Sequence, residues 1–383
     1  MEIFESSLLV SIQIPSGCSS FIPRPAKSQD SQLDSSCGSS LLQSLPSLDP
    51  STVLQVQLLE SPEMATGASG DGKPSLLSTL PKQLPADFLK EITNGFHADR
   101  KLGQGAFGTV YMGFLQDGQP IAVKKLSDNS PVATEKQFKN EVGNLMAIQH
   151  ENIVRLYGYC HEAQKKVIEH NGRYILVDVV ESMLCYEYAP NGNLDNWIFD
   201  MSSRPPWATC FKIIKGICQG LYFLHKGTDR PIVHLDLQPA NILLDDNMVP
   251  KIADFGLSRL FGEEQTRINT INVVGAKGYM APEYLYRGEI STRSDIYSLG
   301  VLIMEITTGQ KNSSHDKDMS GRDFVRQTWT DEHIASKYSS LDADSLQQVK
   351  TCIETGLKCV DIDQKKRPSI VEIVDKLDGR HAH

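Results

Sequence analysis

Three polar residues near the middle of the chain have the types and spacing that metal-dependent chemistry requires. Asp236, Asn241 and Asp254 are separated by short apolar runs at 242–244 and 249–253, with turn residues between the runs. This pattern predicts a tight hairpin, which would bring Asn241 and Asp254 to the same end. Their oxygens could hold a hard cation such as Mg²⁺, and a free carboxylate on Asp236 could then orient a hydroxyl nucleophile.

A glycine-rich stretch upstream could approach phosphate groups. Gly103, Gly105 and Gly108 form a G-x-G-x-x-G pattern, which dinucleotide-binding folds also use. Those folds need a helix directly after the glycines. Here residues 109–114 predict a strand, and Asp117-Gly118 predicts a hairpin turn before a returning strand. The sequence therefore favours a glycine-rich β-hairpin over a dinucleotide site.

The returning strand ends at a lysine for which the sequence offers a partner. Residues Thr134–Gln149 predict a helix whose apolar side chains recur at helical spacing. Glu141 lies on or beside that apolar stripe, so its carboxylate needs a nearby cation. Lys124 is the cation that we expect to pair with Glu141.

Composition and charge narrow the class of protein. The 383 residues carry a net charge of −9 and show no basic stripe, which argues against nucleic-acid binding. Eight scattered cysteines without a C-x-x-C pair predict reduced thiols rather than disulfides or zinc. No apolar run is long enough to span a membrane, and Glu2 and Glu5 argue against a signal peptide. We therefore expect a cytoplasmic protein without a membrane span.

The chain divides into a tail and a folded region. Residues 1–84 are rich in Ser, Pro and Leu and predict a disordered segment, whereas residues 85–380 predict a folded domain. Within that domain, 150–160 predicts a strand and the polar stretch 161–171 predicts a long loop. Helices are predicted around Phe211–Leu224, from a cap at Ser291 to a stop at Gly309, and around Leu346–Val360 and Ser369–Leu377.

Several stretches together resemble the eukaryotic protein kinases. The order H-x-D-x-x-x-x-N followed by D-F-G resembles their catalytic and metal-binding loops. GAFGTVYMG, HENIVRLYGYC, YEYAPNGNLD, IVHLDLQPANILLD, GYMAPEY and KKRPS are most similar to plant receptor-like kinases. The resemblance covers about Leu84–Leu377. It implies an α+β, two-lobed fold, with a small β-rich N-lobe containing one helix (about 97–189) and a larger helical C-lobe (about 190–378).

The resemblance also implies an activity and a role for each site residue. The activity is transfer of the γ-phosphate of ATP to protein Ser or Thr hydroxyls with Mg²⁺ as cofactor. Asp236 would position the acceptor, Asn241 and Asp254 would bind the metal, and Lys124, fixed by Glu141, would neutralise the α/β-phosphates. The implied nucleotide contacts are Leu102, Gly103, Gln104, Gly105, Gly108, Val110, Ala122, Lys124, Tyr186, Glu187, Ala189 and Leu243. Arg367 would pair with Glu283, and Asp295 would brace the catalytic loop.

Three positions depart from the kinase pattern. Leu235 replaces an arginine that reads activation-loop phosphorylation in many kinases, so activity should depend less on that modification. Gln238 replaces a lysine that approaches the transferred phosphoryl group, and Ala276 replaces a threonine that binds the catalytic acid. Losing one preorganised donor typically costs on the order of 10²–10³ in rate. The expectation is a slow kinase. The alternative is a nucleotide-binding pseudokinase that acts as a scaffold in a receptor complex.

Overall fold

The computed structural model describes residues 12–13, 80–127, 132–200, 202–262, 267–311 and 329–380. The predicted disordered segment 1–84 lies outside the described residues except at 12–13 and 80–84. Within these ranges the chain forms a β-rich N-terminal part and a helical C-terminal part, as expected for two lobes.

The N-terminal part is built on a six-stranded sheet. Its strands are β2 (Lys82–Gln83), β3 (Lys101–Gly105), β4 (Gly108–Phe114), β5 (Pro120–Leu126), β6 (Leu156–His170) and β7 (Arg173–Glu187). Their order across the sheet is β2-β6-β7-β5-β4-β3. A separate short strand, β1 (Ile12–Gln13), pairs with residues Asn272–Val273. Because β2 pairs in parallel with β6, the sheet begins before the predicted domain boundary at residue 85.

The glycine-rich stretch forms the predicted β-hairpin and no helix. β3 and β4 are antiparallel, with Gly103 opposite Val110 and Gly105 opposite Gly108. Gly108 has a φ of 150°, and a Cβ there would lie 2.2 Å from the carbonyl oxygen of Lys125. Glycine is therefore required at this position because the backbone of the neighbouring strand β5 passes so close.

The prediction of a loop at 161–171 is wrong, because β6 continues through it to His170. The predicted strand at 150–160 correspondingly begins only at Leu156. β6 and β7 pair along their whole length up to a turn at Asn171-Gly172, both with positive φ. Polar side chains are tolerated here because this part of the hairpin is exposed. Pairing with β7 satisfies the hydrogen-bonding groups of the backbone. The Asn-Gly pair is a strong hairpin signal that the polar composition obscured.

In the described part of the chain, two helices pack on the sheet. Helix α1 (Ala86–Ile92) precedes the glycine hairpin, and α2 (Thr134–Leu145) ends four residues before the predicted Gln149. The Phe138 ring of α2 stacks on His161 of β6 at 4.7 Å between ring centroids. Glu141 lies on the same buried face of α2 as Phe138 and Val142.

The C-terminal part is helical. Its helices are α3 (Asp195–Ile198), α4 (Trp207–Tyr222), α5 (Pro282–Arg287), α6 (Thr292–Thr308), α7 (Asp331–Lys337), α8 (Ala343–Cys359) and α9 (Ile370–Leu377). The predicted cap and stop of the long buried helix are confirmed: Ser291 forms a capping box with Ser294, and Gly309 ends α6 at a φ of 70°.

Seven short strands of the described residues lie between α4 and α6 in the chain. They are β8 (Ile232–Val233), β9 (Ile242–Leu244), β10 (Pro250–Ile252), β11 (Arg259–Leu260), β12 (Ile268–Asn269), β13 (Asn272–Val273) and β14 (Glu289–Ile290). The predicted pairing of Arg367 with Glu283 is also present. It is a buried bidentate ion pair, with guanidinium–carboxylate distances of 2.6 and 2.7 Å.

The cysteines of the described residues form no disulfide. All six cysteines in the described ranges are buried free thiols, and burial raises the pKa of the Cys185, Cys352 and Cys359 thiols to about 12. Among the described residues, no helix combines the length and apolar character needed to cross a membrane.

Candidate active site

The predicted hairpin places two potential metal ligands side by side. β9 and β10 are antiparallel, with Ile242 opposite Ile252. The Ala253 N–H donates to the Asn241 carbonyl at 2.9 Å, so Asn241 and Asp254 meet at one end of the hairpin. Asp254 has a φ of 66°, an uncommon conformation for a non-glycine residue that the surrounding contacts must maintain.

The Asp236 carboxylate is buried and is held by neutral donors. Its Oδ2 accepts from Asn241 Nδ2 at 2.7 Å and from Gln238 Nε2 at 3.1 Å. Its Oδ1 accepts from the backbone N–H of Ala276 at 3.2 Å. Burial and the nearby negative charge of Asp254 raise the pKa of Asp236 to about 6, against the lowering effect of these hydrogen bonds.

Lys124 joins the sheet to the hairpin. Its Nζ lies 2.7 Å from Glu141 Oε1 and 2.9 Å from Asp254 Oδ1. Burial disfavours the lysine's charge, but the two carboxylates outweigh burial and raise its pKa. Burial likewise opposes ionisation of Asp254, yet the Lys124 cation lowers the pKa of that carboxyl. The predicted Lys124–Glu141 pair is therefore confirmed, and Asp254 extends it to a three-residue cluster.

The residues assigned to the adenine end lie where β5 meets β7. Ala122 pairs with Tyr186, whose hydroxyl donates to Glu141 Oε2 at 2.8 Å. The Glu187 N–H donates to the Arg155 carbonyl at 3.0 Å and is not available to a ligand. The Ala189 N–H has no hydrogen bond within the described part of the chain, although the residue is buried. A backbone N–H without an internal partner fits a ligand acceptor at this point.

The turn of the glycine hairpin lies near Lys124. The hairpin's assigned residues Leu102, Gly103, Gln104 and Gly105 are exposed or half-buried, whereas Gly108 is buried and Val110 is half-buried. Phe107, at the turn, lies with its ring 5.8 Å from the Lys124 ammonium. Leu243, on β9, is half-buried and forms a bridge with Asn193.

Asp295 braces the segment before Asp236, as the resemblance implied. Its two oxygens accept from the backbone N–H groups of His234 and Leu235, both at 2.8 Å. The second of these residues has a φ of 69°, so the brace holds the chain in an unfavourable conformation. The Leu235 side chain packs in an apolar cluster with Val274 and Met280, so this position offers no cation.

Sequence reasoning missed two residues that attach α2 to the D-F-G segment. Asn140 Nδ2 donates to the Gly256 carbonyl at 2.9 Å, and Asn144 Nδ2 donates to Ser258 Oγ at 2.7 Å. Two amides four residues apart share a helix face, and that spacing beside Glu141 was the available signal. These bonds align α2 with Asp254, and so support the Lys124 cluster.

The residues present fit a metal ion and a nucleotide. Asn241 uses its amide nitrogen on Asp236, which leaves its oxygen as the group available to a cation. The Asp254 side chain remains 22% exposed, so its carboxylate is accessible from the cleft. No group of three His, Cys, Asp or Glu side chains capable of holding a metal occurs in the described ranges, so additional ligands at this pair would come from phosphate and water.

Comparisons with known proteins agree with this geometry. Residues 96–377 match the protein kinase domain family. Cysteine-rich receptor-like protein kinase 19 of Arabidopsis thaliana is 42% identical over 309 residues, which cover 78% of this chain and 45% of that protein. The G-type lectin S-receptor-like serine/threonine-protein kinase SD1-13 of the same plant is 39% identical over 312 residues, 79% of this chain and 36% of that protein.

The chain thus spans less than half the length of these curated relatives, and the shared part coincides with the two-lobed region. A family match over most of the chain, together with a two-lobed fold, leads to one conclusion. This chain belongs to the protein kinase family.

Proposed function

We propose that this chain transfers the γ-phosphate of ATP to serine or threonine hydroxyls of proteins, with Mg²⁺ and at low turnover. The observation that carries the proposal is the position of Lys124, which contacts Glu141 and Asp254 at once. That contact assembles the phosphate-binding lysine and the metal-binding carboxylate in one place before any ligand binds. Preorganisation of this kind is where most electrostatic catalysis originates.

Asp236 would orient the acceptor hydroxyl and receive its proton. Three hydrogen bonds fix its carboxylate, so its orientation is set before the acceptor arrives. With a pKa near 6, it is mostly ionised at neutral pH and able to accept a hydrogen bond.

Lys124 would pair with the α/β-phosphates, and Asn241 and Asp254 would hold Mg²⁺. When bound, the metal would neutralise negative charge on the phosphates as the acceptor attacks. The buried Ala189 N–H supports an adenine contact at the other end of the cleft, beside Tyr186.

Low turnover follows from the two altered positions. The Gln238 amide donates to Asp236 but brings no positive charge to the transferred phosphoryl group. Ala276 supplies only its backbone N–H to the same carboxylate. Asp236 is therefore oriented, while the cation expected beside the reacting phosphate is missing.

A second candidate function is a nucleotide-binding scaffold without transfer activity. The same two positions favour it, because both altered residues serve the reacting end of the site and leave the nucleotide end unchanged. The Lys124 cluster and the Asn241–Asp254 pair weigh against it, since a scaffold has no physical need for a metal site.

The relatives' names suggest a cellular setting. Both of those compared are called receptor-like kinases. We therefore infer that this kinase domain works on the cytoplasmic side of the plasma membrane in a complex with a receptor kinase. Because Leu235 offers no cation to a phosphorylated activation segment, its activity should depend little on phosphorylation there.

The test is transfer of labelled γ-phosphate from ATP/Mg²⁺ to a generic protein substrate and to the kinase itself. Asp236→Asn is the control, because it removes the base and keeps the shape of the side chain. Wild type should exceed this variant by about 10²–10⁴-fold. Phosphoamino-acid analysis of the product should show phosphoserine or phosphothreonine.

The scaffold alternative gives a different result. Wild type would then equal Asp236→Asn in transfer, while ATP/Mg²⁺ would still raise the melting temperature of both proteins. If ATP/Mg²⁺ changed neither transfer nor melting temperature, both candidate functions would be rejected.

A further inference from the structure

The β6–β7 hairpin extends past the sheet as a two-stranded ribbon, residues 163–180. β2 pairs with β6 only at Gly158 and Tyr159, and β5 pairs with β7 only from Met183 onward. Residues 163–180 therefore have no neighbouring strand in the described part of the chain. A lone two-stranded ribbon is marginal in water unless a face is covered.

One face of the ribbon is partly covered by the protein itself. On it, Gln164 accepts a hydrogen bond from Lys90 of α1 at 2.6 Å, and Val177 and Val179 are half-buried. The opposite face is open. Its apolar centre is formed by Val167 and Leu176, which are 64% and 61% exposed.

The open face has an ordered arrangement of charge. From base to tip, it carries four cross-strand pairs: Ala163 with Val180, Lys165 with Asp178, Val167 with Leu176, and Glu169 with Tyr174. Lys165, Glu169 and Asp178 form no ion pair within the described residues, and Tyr174 is 77% exposed. The apolar pair Val167–Leu176 thus lies between the Lys165–Asp178 pair on one side and the Glu169–Tyr174 pair on the other.

We propose that this open face binds the open face of a second copy of the chain, with the ribbons antiparallel and stacked. A two-fold axis at the Val167–Leu176 level, perpendicular to the strands, places each strand over its own counterpart. Lys165 then lies opposite the partner's Glu169, and Asp178 lies opposite the hydroxyl of the partner's Tyr174. The four apolar side chains of the two copies meet in the centre.

Charge complementarity identifies the second copy as the occupant. Two symmetric stacks bring opposite charges together: the antiparallel one places Lys165 opposite the partner's Glu169, and a parallel one would place it opposite the partner's Asp178. The parallel stack would also lay the two sheets over each other, with α2 packed on this face at His161, so the antiparallel stack is the one that leaves room for both chains. In the antiparallel stack every charged group on the face meets a partner, and the symmetry repeats each contact twice. Opposed charges at both ends also set the register of the two ribbons.

The length of the ribbon accommodates this arrangement. From Val167 back to His161 is about 20 Å at about 3.3 Å per residue, so the two sheets would lie roughly 40 Å apart along the ribbon axis. The turn at Asn171-Gly172 is about 13–16 Å beyond Val167, and would stop short of the partner's sheet. Stacked ribbons about 10 Å apart therefore meet without collision between the sheets.

Sedimentation equilibrium of the full chain over a range of concentrations tests the proposal. Wild type should show a reversible monomer–dimer equilibrium. Leu176→Asp should weaken the dimer at least tenfold, because it introduces a charge at the apolar centre. Ile168→Asp is the matched control: it adds the same charge to the other face of the same hairpin, which the proposed stack does not use, and should leave the dimer constant within about twofold.

Charge reversal provides a second test that needs no core substitution. Lys165→Glu alone and Glu169→Lys alone should each weaken the dimer roughly tenfold, since like charges then face each other twice. A mixture of these two variants should form heterodimers at close to wild-type affinity, because opposite charges face each other again. The double variant should dimerise like wild type.

Three results would overturn the proposal. These are a wild-type chain that stays monomeric at all concentrations, equal effects of Leu176→Asp and Ile168→Asp, or no recovery on mixing the two charge variants. A monomer would leave the ribbon available to a different protein. Because the readout is mass, the result does not depend on kinase activity.

Discussion

Two neighbouring acids, the half-buried Asp254 and the buried Asp236, are stabilised in different ways. Asp254 accepts from the Lys124 ammonium at 2.9 Å, and this cation lowers its pKa against the effect of burial. Asp236 is surrounded by the neutral donors Asn241, Gln238 and Ala276, and its pKa is raised to about 6.

The difference separates nucleotide binding from transfer. Beside Asp254 the Lys124 ammonium is already in place between two carboxylates, as a site for phosphates and a metal requires. Hydrogen bonds from neutral groups hold the Asp236 carboxylate in its orientation, and no cation of the described residues contacts it. The nucleotide end of the cleft should therefore be robust, and the acceptor end should limit the rate.

Removal of the Lys124 ammonium from Asp254 should have the largest effect on stability and on nucleotide binding. Lys124→Met leaves Glu141 and Asp254 as buried like charges, and should lower the free energy of unfolding by about 3–5 kcal/mol. It should also abolish the rise in melting temperature with ATP/Mg²⁺. Chemical denaturation measures the first effect, and thermal denaturation with and without ligand measures the second.

Lys125→Met is the matched control for that change. Lys125 is more exposed and lies 3.6 Å from Glu181, so its loss should cost no more than about 1 kcal/mol. Equal destabilisation by the two substitutions would show that the buried Lys124 cluster has no special energetic role.

Addition of a cation beside Asp236 should raise the rate of phosphoryl transfer. Gln238→Lys combined with Ala276→Thr places an ammonium near the transferred phosphoryl group and a hydroxyl beside Asp236. We expect kcat to rise by roughly 10–100-fold with little change in the nucleotide KM. Adding Asp236→Asn to the double variant should eliminate the gain. An unchanged kcat would mean that the missing cation does not limit transfer.

Loss of one hydrogen bond at the nucleotide end should have a smaller effect. Tyr186→Phe removes the donor to Glu141 Oε2 and should cost about 1–2 kcal/mol in unfolding free energy. Tyr188→Phe removes a hydroxyl that makes no hydrogen bond in the described part of the chain, and should cost much less. Denaturant titration compares the two; a Tyr186→Phe variant as stable as wild type contradicts the assigned bond.

The pH profile should show the smallest change. Because ionised Asp236 is the active form and its pKa is about 6, kcat/KM should fall as the pH drops through about 6. Gln238→Met removes a donor that lowers this pKa, so the acid limb should move up by roughly half a unit. Gln238→Lys should move it down, since a nearby cation favours the carboxylate. Shifts in the same direction for both variants would assign the limb to another group.

Local patterns were sufficient to predict much of the fold and part of the site. The glycine hairpin, the β9–β10 hairpin and the cap at Ser291 depend on turn residues and alternation within a few positions. The Lys124–Glu141 pair was predictable because a carboxylate beside an apolar stripe needs a cation.

Local patterns gave wrong or missing predictions where a partner strand or a residue distant in sequence determines the structure. Residues 161–170 have a polar composition that allows a loop, and only pairing with β7 makes them a strand. The Asn140 and Asn144 contacts depend on how α2 packs against the D-F-G segment.

By itself the sequence determined which chemical groups this protein brings to the cleft, because motif spacing and local turns specify them. Only the tertiary structure decided what those groups contact. Lys124 reaches Asp254 across 130 positions of chain, and Gln238 turns its amide to Asp236. The physical reason is that charge matching and burial are properties of neighbours in space, and those neighbours are brought together by packing.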